Sequence, residues 1–227
     1  MLSTSYNAYI LNELSTYFVE YNEFNCLLGT DCVLSGSFVL KHINNDEFKC
    51  SDIDLYINIA NGEKILSIIK FITGENYLEV IVEEKKYNNN NNKYSDNTIV
   101  DVIQYINPTL KKSIDIIICC DIIDTIDDFD FNIVKNYYNG TETYITYPEN
   151  VYKKKEKITL YRSDITNWKK RLGRVEKYKT RGYNLTVDVE KEKNNYTTDI
   201  IYLKHEISIL YCLMIVLLLI VISNNYC

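Results

Sequence analysis

A sheet backed by helices, α+β (α/β) in class, is what this 227-residue sequence predicts. Three observations carry that expectation. Short apolar runs of strand length recur at Val33-Leu34 and at residues 53–59, 98–106 and 112–119. Helical spacing of apolar residues appears at residues 8–28 and 164–181. Turn formers separate them, Gly36-Ser37 at one break and Asn107-Pro108 at another. With 46% apolar residues the chain has enough material for one substantial core and a small appendage.

Taken in order, residues 8–28 place Ile10, Leu14, Tyr17, Phe18 and Tyr21 on a stripe, with Glu13, Glu20 and Glu23 off it, which predicts one packing helix. The polar opening Met1 to Asn7 has no basic lead into an apolar run, so no secretory signal is expected. Val33-Leu34 reads as the end of a buried strand that breaks at Gly36-Ser37 into a short helix over residues 38–43. A helix opened in this way points free backbone N–H groups outward. Gly36 permits close backbone approach, and the Ser37 hydroxyl is placed to cap the helix or donate to a phosphate oxygen. A triphosphate tail suits such a turn.

Fourteen residues separate Ser37 from Asp52, where a strand begins. Side chains alternate along a strand, so Asp52, Asp54, Tyr56 and Asn58 share one face and Ile53, Leu55, Ile57 and Ile59 the other. Two like charges side by side are costly unless a divalent cation neutralises them, and hard carboxylate oxygens are the usual ligands of Mg²⁺. Asn88 to Asn92 predicts a loop inserted in the sheet domain, because asparagine buries too little surface to order itself. Residues 98–106 and 112–119 then read as the two arms of a hairpin through Asn107-Pro108. Cys119 and Cys120 should face opposite sides.

The run Leu34-Ser-Gly-Ser-Phe-Val-Leu40 with Ser51-Asp-Ile-Asp-Leu-Tyr-Ile57 resembles the DNA polymerase beta-like nucleotidyltransferase superfamily, in the form found in small nucleotidyltransferase-like proteins of large eukaryotic DNA viruses and some fungi. The likeness extends more weakly through residues 129–136 and 174–183. It implies a mixed sheet flanked by helices, two divalent ions (Mg²⁺ or Mn²⁺), and transfer of a nucleoside monophosphate from a nucleoside triphosphate to an acceptor. Carried over, Gly36 and Ser37 hold the triphosphate, and Asp52 and Asp54 bind metal. A third acid is expected on a later strand. Asp115 is the favoured candidate, because it is the only charge inside the apolar run 113–119 and an unpaired buried carboxylate is expensive. Asp130, beside Asp127 and Asp128, is its rival.

After Gly140 the character of the chain changes. Residues 151–181 carry twelve Lys or Arg against Glu156, Asp164 and Glu176, a net of plus nine in a chain of minus six, so the remainder carries minus fifteen. Ile165, Trp168, Leu172, Val175 and Tyr178 predict an amphipathic helix from Asp164 to about Arg181, ending at Gly182. Arg174, Lys177 and Arg181 share one side of it. That side is expected at the rim of the cleft, with Arg174 and Lys177 on the nucleotide. The open basic face would suit a nucleotide tail, an RNA backbone or an acidic protein patch.

Residues 207–222 contain no charge and twelve Leu, Ile or Val. As a helix they would span about 24 Å, and their transfer would favour insertion by about 4 to 7 kcal/mol. A membrane tail anchor is therefore expected, with the rest of the protein cytoplasmic. Seven cysteines without a Cys-x-x-Cys pair suit reduced thiols and give no zinc set with only His42 and His205 available. The glycines form neither a Walker loop nor a dinucleotide fingerprint.

The expected organisation is a nucleotidyltransferase-like core with its N-terminal helix at residues 1–147 and a basic helical segment at 148–187. A linker at 188–206 and a transmembrane tail at 207–223 follow. Two functions compete: metal-dependent nucleotidyl transfer to an RNA, protein or other acceptor, or an inactive protein of the same fold that binds nucleotide, RNA or a host protein through its basic helix.

Overall fold

The computed structural model describes residues 3–50, 52–80, 98–161 and 165–190. The chain divides into two compact units, residues 1–158 with 171–186 and residues 159–170 with 187–227. The first contains the main sheet and every candidate site residue. Of the second, the description reaches residues 159–161, 165–170 and 187–190.

The single helix expected over residues 8–28 is two, α1 (Ser3–Leu14) and α2 (Tyr21–Leu27). Two effects, one local and one distant, end α1. The hydroxyls of Ser15 and Thr16 donate to the carbonyls of Asn12 and Glu13, at 2.7 Å each, taking acceptors of the last turn. The Glu75 carboxylate then accepts from the backbone N–H groups of Val19 (2.9 Å) and Glu20 (2.8 Å), tying the opening of α2 from elsewhere in the fold. The apolar stripe is used as expected: Ile10, Leu14, Tyr17 and Phe18 are buried. Phe18 stacks on Phe24 and meets Phe71 and Tyr77 edge-on or tilted.

The strand β1 (Cys32–Ser35), buried throughout, turns directly into α3 (Gly36–Ile43). β2 (Asp52–Asn58) follows, then α4 (Gly62–Gly74), whose first turn is capped by the Asn61 side chain accepting from the Lys64 N–H. After β3 (Leu78–Glu79) come β4 (Ile99–Asn107) and β5 (Lys112–Cys119), the hairpin expected through Asn107-Pro108. Asn107 Oδ1 accepts from the N–H groups of Thr109 and Leu110, which fixes the turn. The short helix α5 (Ile122–Asp127) leads through a 3₁₀ turn (Asn132–Val134) to β6 (Asn136–Tyr138) and β7 (Thr143–Ile145).

These strands form one seven-stranded sheet in the order β3-β4-β5-β2-β1-β6-β7. β2 and β5 run parallel and the other neighbours antiparallel, so the sheet is mixed and the class is α+β as expected. Its two faces are unequal. Ile53, Leu55 and Ile57 of β2 and Ile114 and Ile116 of β5 point to the main core and are fully buried. On the other face Val33, Tyr56, Ile117 and Cys119 make a smaller core with Ile122 and Ile126 of α5. That second core covers only one end of the face. Asp52, Asp54 and Asp115 lie on the same face beyond it. Cys119 is buried and Cys120 exposed, as alternation requires.

Beyond α6 (Pro148–Tyr152), the stretch 148–187 is not wholly helical. It continues as strand, helix and strand: β8 (Lys155–Tyr161), α7 (Ile165–Thr180) and β9 (Asn184–Glu190), with β8 and β9 forming a two-stranded sheet. The reason is visible in Lys155-Glu-Lys-Ile-Thr-Leu-Tyr161, rich in β-branched and aromatic residues. β9 also extends three residues past the start of the expected linker. The end of α7 is as read: Gly182 has φ +87°, its N–H donates to Lys179, and the Tyr183 N–H reaches back to Tyr178, all at 3.0 Å. The rings of Tyr178 and Tyr183 meet edge-on across this cap.

Among the described residues no helix is long and apolar enough to cross a membrane. The tail at 207–223, the linker from 191 onward and the asparagine tract lie outside the described residues.

Candidate active site

The passage from β1 to α3 is made by Gly36 at φ +75°, a left-handed conformation that side chains rarely adopt. Space gives a second reason for glycine here. A Cβ on Gly36 would stand 2.7 Å from Oδ2 of Asp54. The turn and the carboxylate are thus in direct contact. Ser35, next to Gly36, pairs with Asp54 across β1 and β2. Ser35 precedes the helix without capping it, since its hydroxyl donates instead to the Asn136 carbonyl at 2.7 Å. Ser37 is buried with its Oγ 3.9 Å from Sγ of Cys50, so its hydroxyl is directed toward the segment that leads into Asp52.

The parallel register of β2 and β5 sets Asp54 opposite Asp115 and Asp52 opposite Ser113. All three acids are partly exposed and lie on one face. On the far side of Asp115, in β4, Gln104 stands directly across and donates to Asp115 Oδ1 at 2.8 Å. Lys112, three residues before Asp115, does not pair with it but lies over the Tyr17 ring and 3.9 Å from Glu13.

Electrostatics marks the same cluster. Burial, and then the negative charges of Asp52 and Asp115, push the Asp54 carboxyl from its ordinary 3.8 up to about 7, while Lys177 and Arg174 pull it back down. Asp115 is also raised, chiefly by burial and further by Asp52, against the lowering effect of the Gln104 hydrogen bond.

Asp130 is placed differently. It accepts from Nε of Arg171 at 2.7 Å and from Nη1 of Arg174, so it anchors α7 to the loop after α5. Of the two competing acids, Asp115 therefore joins Asp52 and Asp54 and Asp130 does not. Arg174 is bound to Asp130, and Lys177 lies one turn along α7 with its charge felt at Asp54. The guanidinium carbon of Arg181 lies over Phe48, 4.2 Å from the ring centre, and 5.5 Å from that of Tyr178.

Sequence reasoning passed over Gln104 and Phe48. Gln104 was within reach of it: with a hairpin turning on residues 108–111, Asn107 opposes Lys112 and counting back three opposes Gln104 to Asp115. Phe48 carried no such signal, because it lies outside any periodic element.

The donors suit a divalent cation by their chemistry. Asp52, Asp54 and Asp115 offer hard oxygens, and the mutual repulsion that raises Asp54 is what a bound cation would relieve. Among the described residues no group of three or more His, Cys, Asp or Glu stands already assembled around an ion position.

None of the curated proteins matches the chain significantly. Residues 8–157 match the Gabija anti-defense 2 family. The matched part takes in Gly36, Ser37, the three acids and Gln104 and stops before α7. Because the match covers more than half of the 227 residues, the chain belongs to the Gabija anti-defense 2 family.

Proposed function

We propose that this protein is a metal-dependent nucleotidyltransferase that moves a nucleoside monophosphate from a nucleoside triphosphate onto an acceptor, breaking the bond between the α- and β-phosphates and releasing pyrophosphate. The observation that carries the reading is the meeting of Asp54 with both Asp115, its register partner on β5, and Gly36, the left-handed first residue of α3. A carboxylate cluster set against a glycine turn at a helix start brings cation ligands and backbone phosphate donors into one place.

In this reading Asp52, Asp54 and Asp115 hold two Mg²⁺ or Mn²⁺ ions. When bound, such ions supply Lewis-acid neutralisation of the triphosphate and acidify an acceptor hydroxyl. The chain's own work is positioning. Gly36 lets the backbone approach the phosphates without a Cβ between them and Asp54. The N–H groups opening α3 are left without a side-chain cap and so remain for phosphate oxygens. Gln104 fixes the Asp115 carboxylate in one orientation through Oδ1, leaving Oδ2 for a ligand. Lys177 and Arg174 add positive potential beside Asp54. The anti-defense description of the family supports an acceptor that belongs to the defence being opposed, an RNA or a protein.

Incubating the protein with each labelled nucleoside triphosphate, Mg²⁺ or Mn²⁺, and RNA and protein acceptors tests this. Label transfer that disappears in Asp52→Ala and Asp54→Ala is the expected result. Nucleotide binding without transfer under any of these conditions would replace it with the second reading, an inactive protein of the same fold that acts by binding.

A further inference from the structure

Resting on the nucleotidyltransferase reading, the geometry points to Arg181, held against Phe48, as the cation that receives the polyphosphate tail of the nucleotide. Three features of the first unit lead there. The Arg181 guanidinium carbon lies over the Phe48 ring, 4.2 Å from its centre, a cation–π packing that holds the group in place. Its Nη1 is buried and has no hydrogen-bond partner among the described residues, an arrangement that is costly for a charged donor unless an acceptor completes it. The backbone at Arg181 is itself fixed, since its N–H donates to Tyr178 and the Gly182 cap follows at once.

The direction of this donor is given by what surrounds it. Phe48 lies two residues before Cys50, and Cys50 touches the Ser37 hydroxyl at the first turn of α3. The positive charge of Arg181 is felt at Cys50, in agreement with that placement. Arg181 therefore lies near the Ser37 end of the site, where a phosphate chain leaving the acid cluster would run. Arg174, the other arginine on this side of α7, is committed to Asp130 and shares that acid with Arg171. An anionic ligand of several phosphates is the chemistry that suits a fixed, planar, partly desolvated guanidinium with a spare N–H.

Arg181→Ala and the unaltered full chain are to be compared by calorimetric titration with inorganic tripolyphosphate, a nucleoside triphosphate and the matching monophosphate, each with Mg²⁺. The loss of a charge-assisted hydrogen bond predicts a drop in affinity of about 10- to 100-fold for tripolyphosphate and triphosphate, with monophosphate affinity changed by less than about threefold. Equal triphosphate affinity in the variant would overturn the inference, and so would an equal loss for monophosphate, which marks general damage. Should Arg181→Ala fail to fold, Arg181→Lys takes its place. That variant keeps the charge and gives up the planar fork, and it is expected to lose triphosphate affinity severalfold; unchanged affinity again overturns the proposal. Tripolyphosphate bound through Arg181 with no label transfer in the acceptor assay would leave this site standing and refute the transferase reading. An unaltered chain that binds neither tripolyphosphate nor triphosphate refutes both.

Discussion

Asp54 is the residue on which the site turns, because three separate constraints meet at its carboxylate: Gly36 beside it, Asp115 opposite and Asp52 on its own strand. Its raised pKa has a definite consequence for stability. An unfolded chain releases the proton near 3.8 while the folded one holds it to about 7, so the folded state loses stability as pH rises through that window. Replacing Asp54 with Asn removes the titration, so thermal melts of Asp54→Asn without divalent ions should fall less between pH 4 and 8 than those of the unaltered protein. A parallel pH dependence in both would contradict the assignment. Gly36→Ala meets two penalties. A left-handed backbone costs a side chain about 1–2 kcal/mol, and the new Cβ at 2.7 Å would drive the Asp54 carboxylate aside. The combined Gly36→Ala, Asp54→Gly protein should recover part of the loss in a denaturant titration, because the clash has been removed. Strict additivity would show that the contact contributes nothing.

At the scale of elements, the parts of the chain with a single strong local cause were the legible ones. The β2 alternation, the Asn107-Pro108 hairpin with β5, and the Gly182 end of α7 all follow from residues adjacent in sequence. What escaped depends on partners far along the chain. The break between α1 and α2 is completed by Glu75, more than fifty residues away, and no periodicity in residues 8–28 announces it. Substituting Glu75 with Ala should cost about 1–3 kcal/mol in chemical denaturation, since two backbone donors lose a charged acceptor; a change near zero would mean that water replaces it fully. The choice between Asp115 and Asp130 likewise needed the arginines of α7, whose reach across to Asp130 no strand pattern encodes. The geometry of the candidate site was therefore partly legible: Gly36, Asp52, Asp54 and Asp115 stand together where the motif and strand pattern placed them, Gln104 follows from counting along the hairpin, and Phe48 carried no signal. Gly182→Ala should shorten the ordered end of α7 and cost about 1–2 kcal/mol, visible as a lower melting temperature.

In the whole molecule, charge and family membership divide at nearly the same place. The family match covers the acidic sheet domain and ends at residue 157, while the net positive charge is concentrated in residues 151–181. The sheet domain carries the three acids, and α7, lying beyond the match, contributes the arginines and Lys177. In the proposed reading the acids therefore lie in the part shared with the family, and the basic groups lie in the helix that follows it. Salt should then weaken triphosphate binding more than divalent-ion binding, because exposed cations on α7 are readily screened. Whether the acid cluster holds a cation is read by titrating Mn²⁺ into the protein with a nucleoside triphosphate present, followed by electron paramagnetic resonance, for the unaltered chain and for Asp54→Asn. Saturable Mn²⁺ binding that depends on the nucleotide and is lost in Asp54→Asn is the predicted result. Mn²⁺ binding that is absent, or equally strong without the Asp54 carboxylate, would contradict the account.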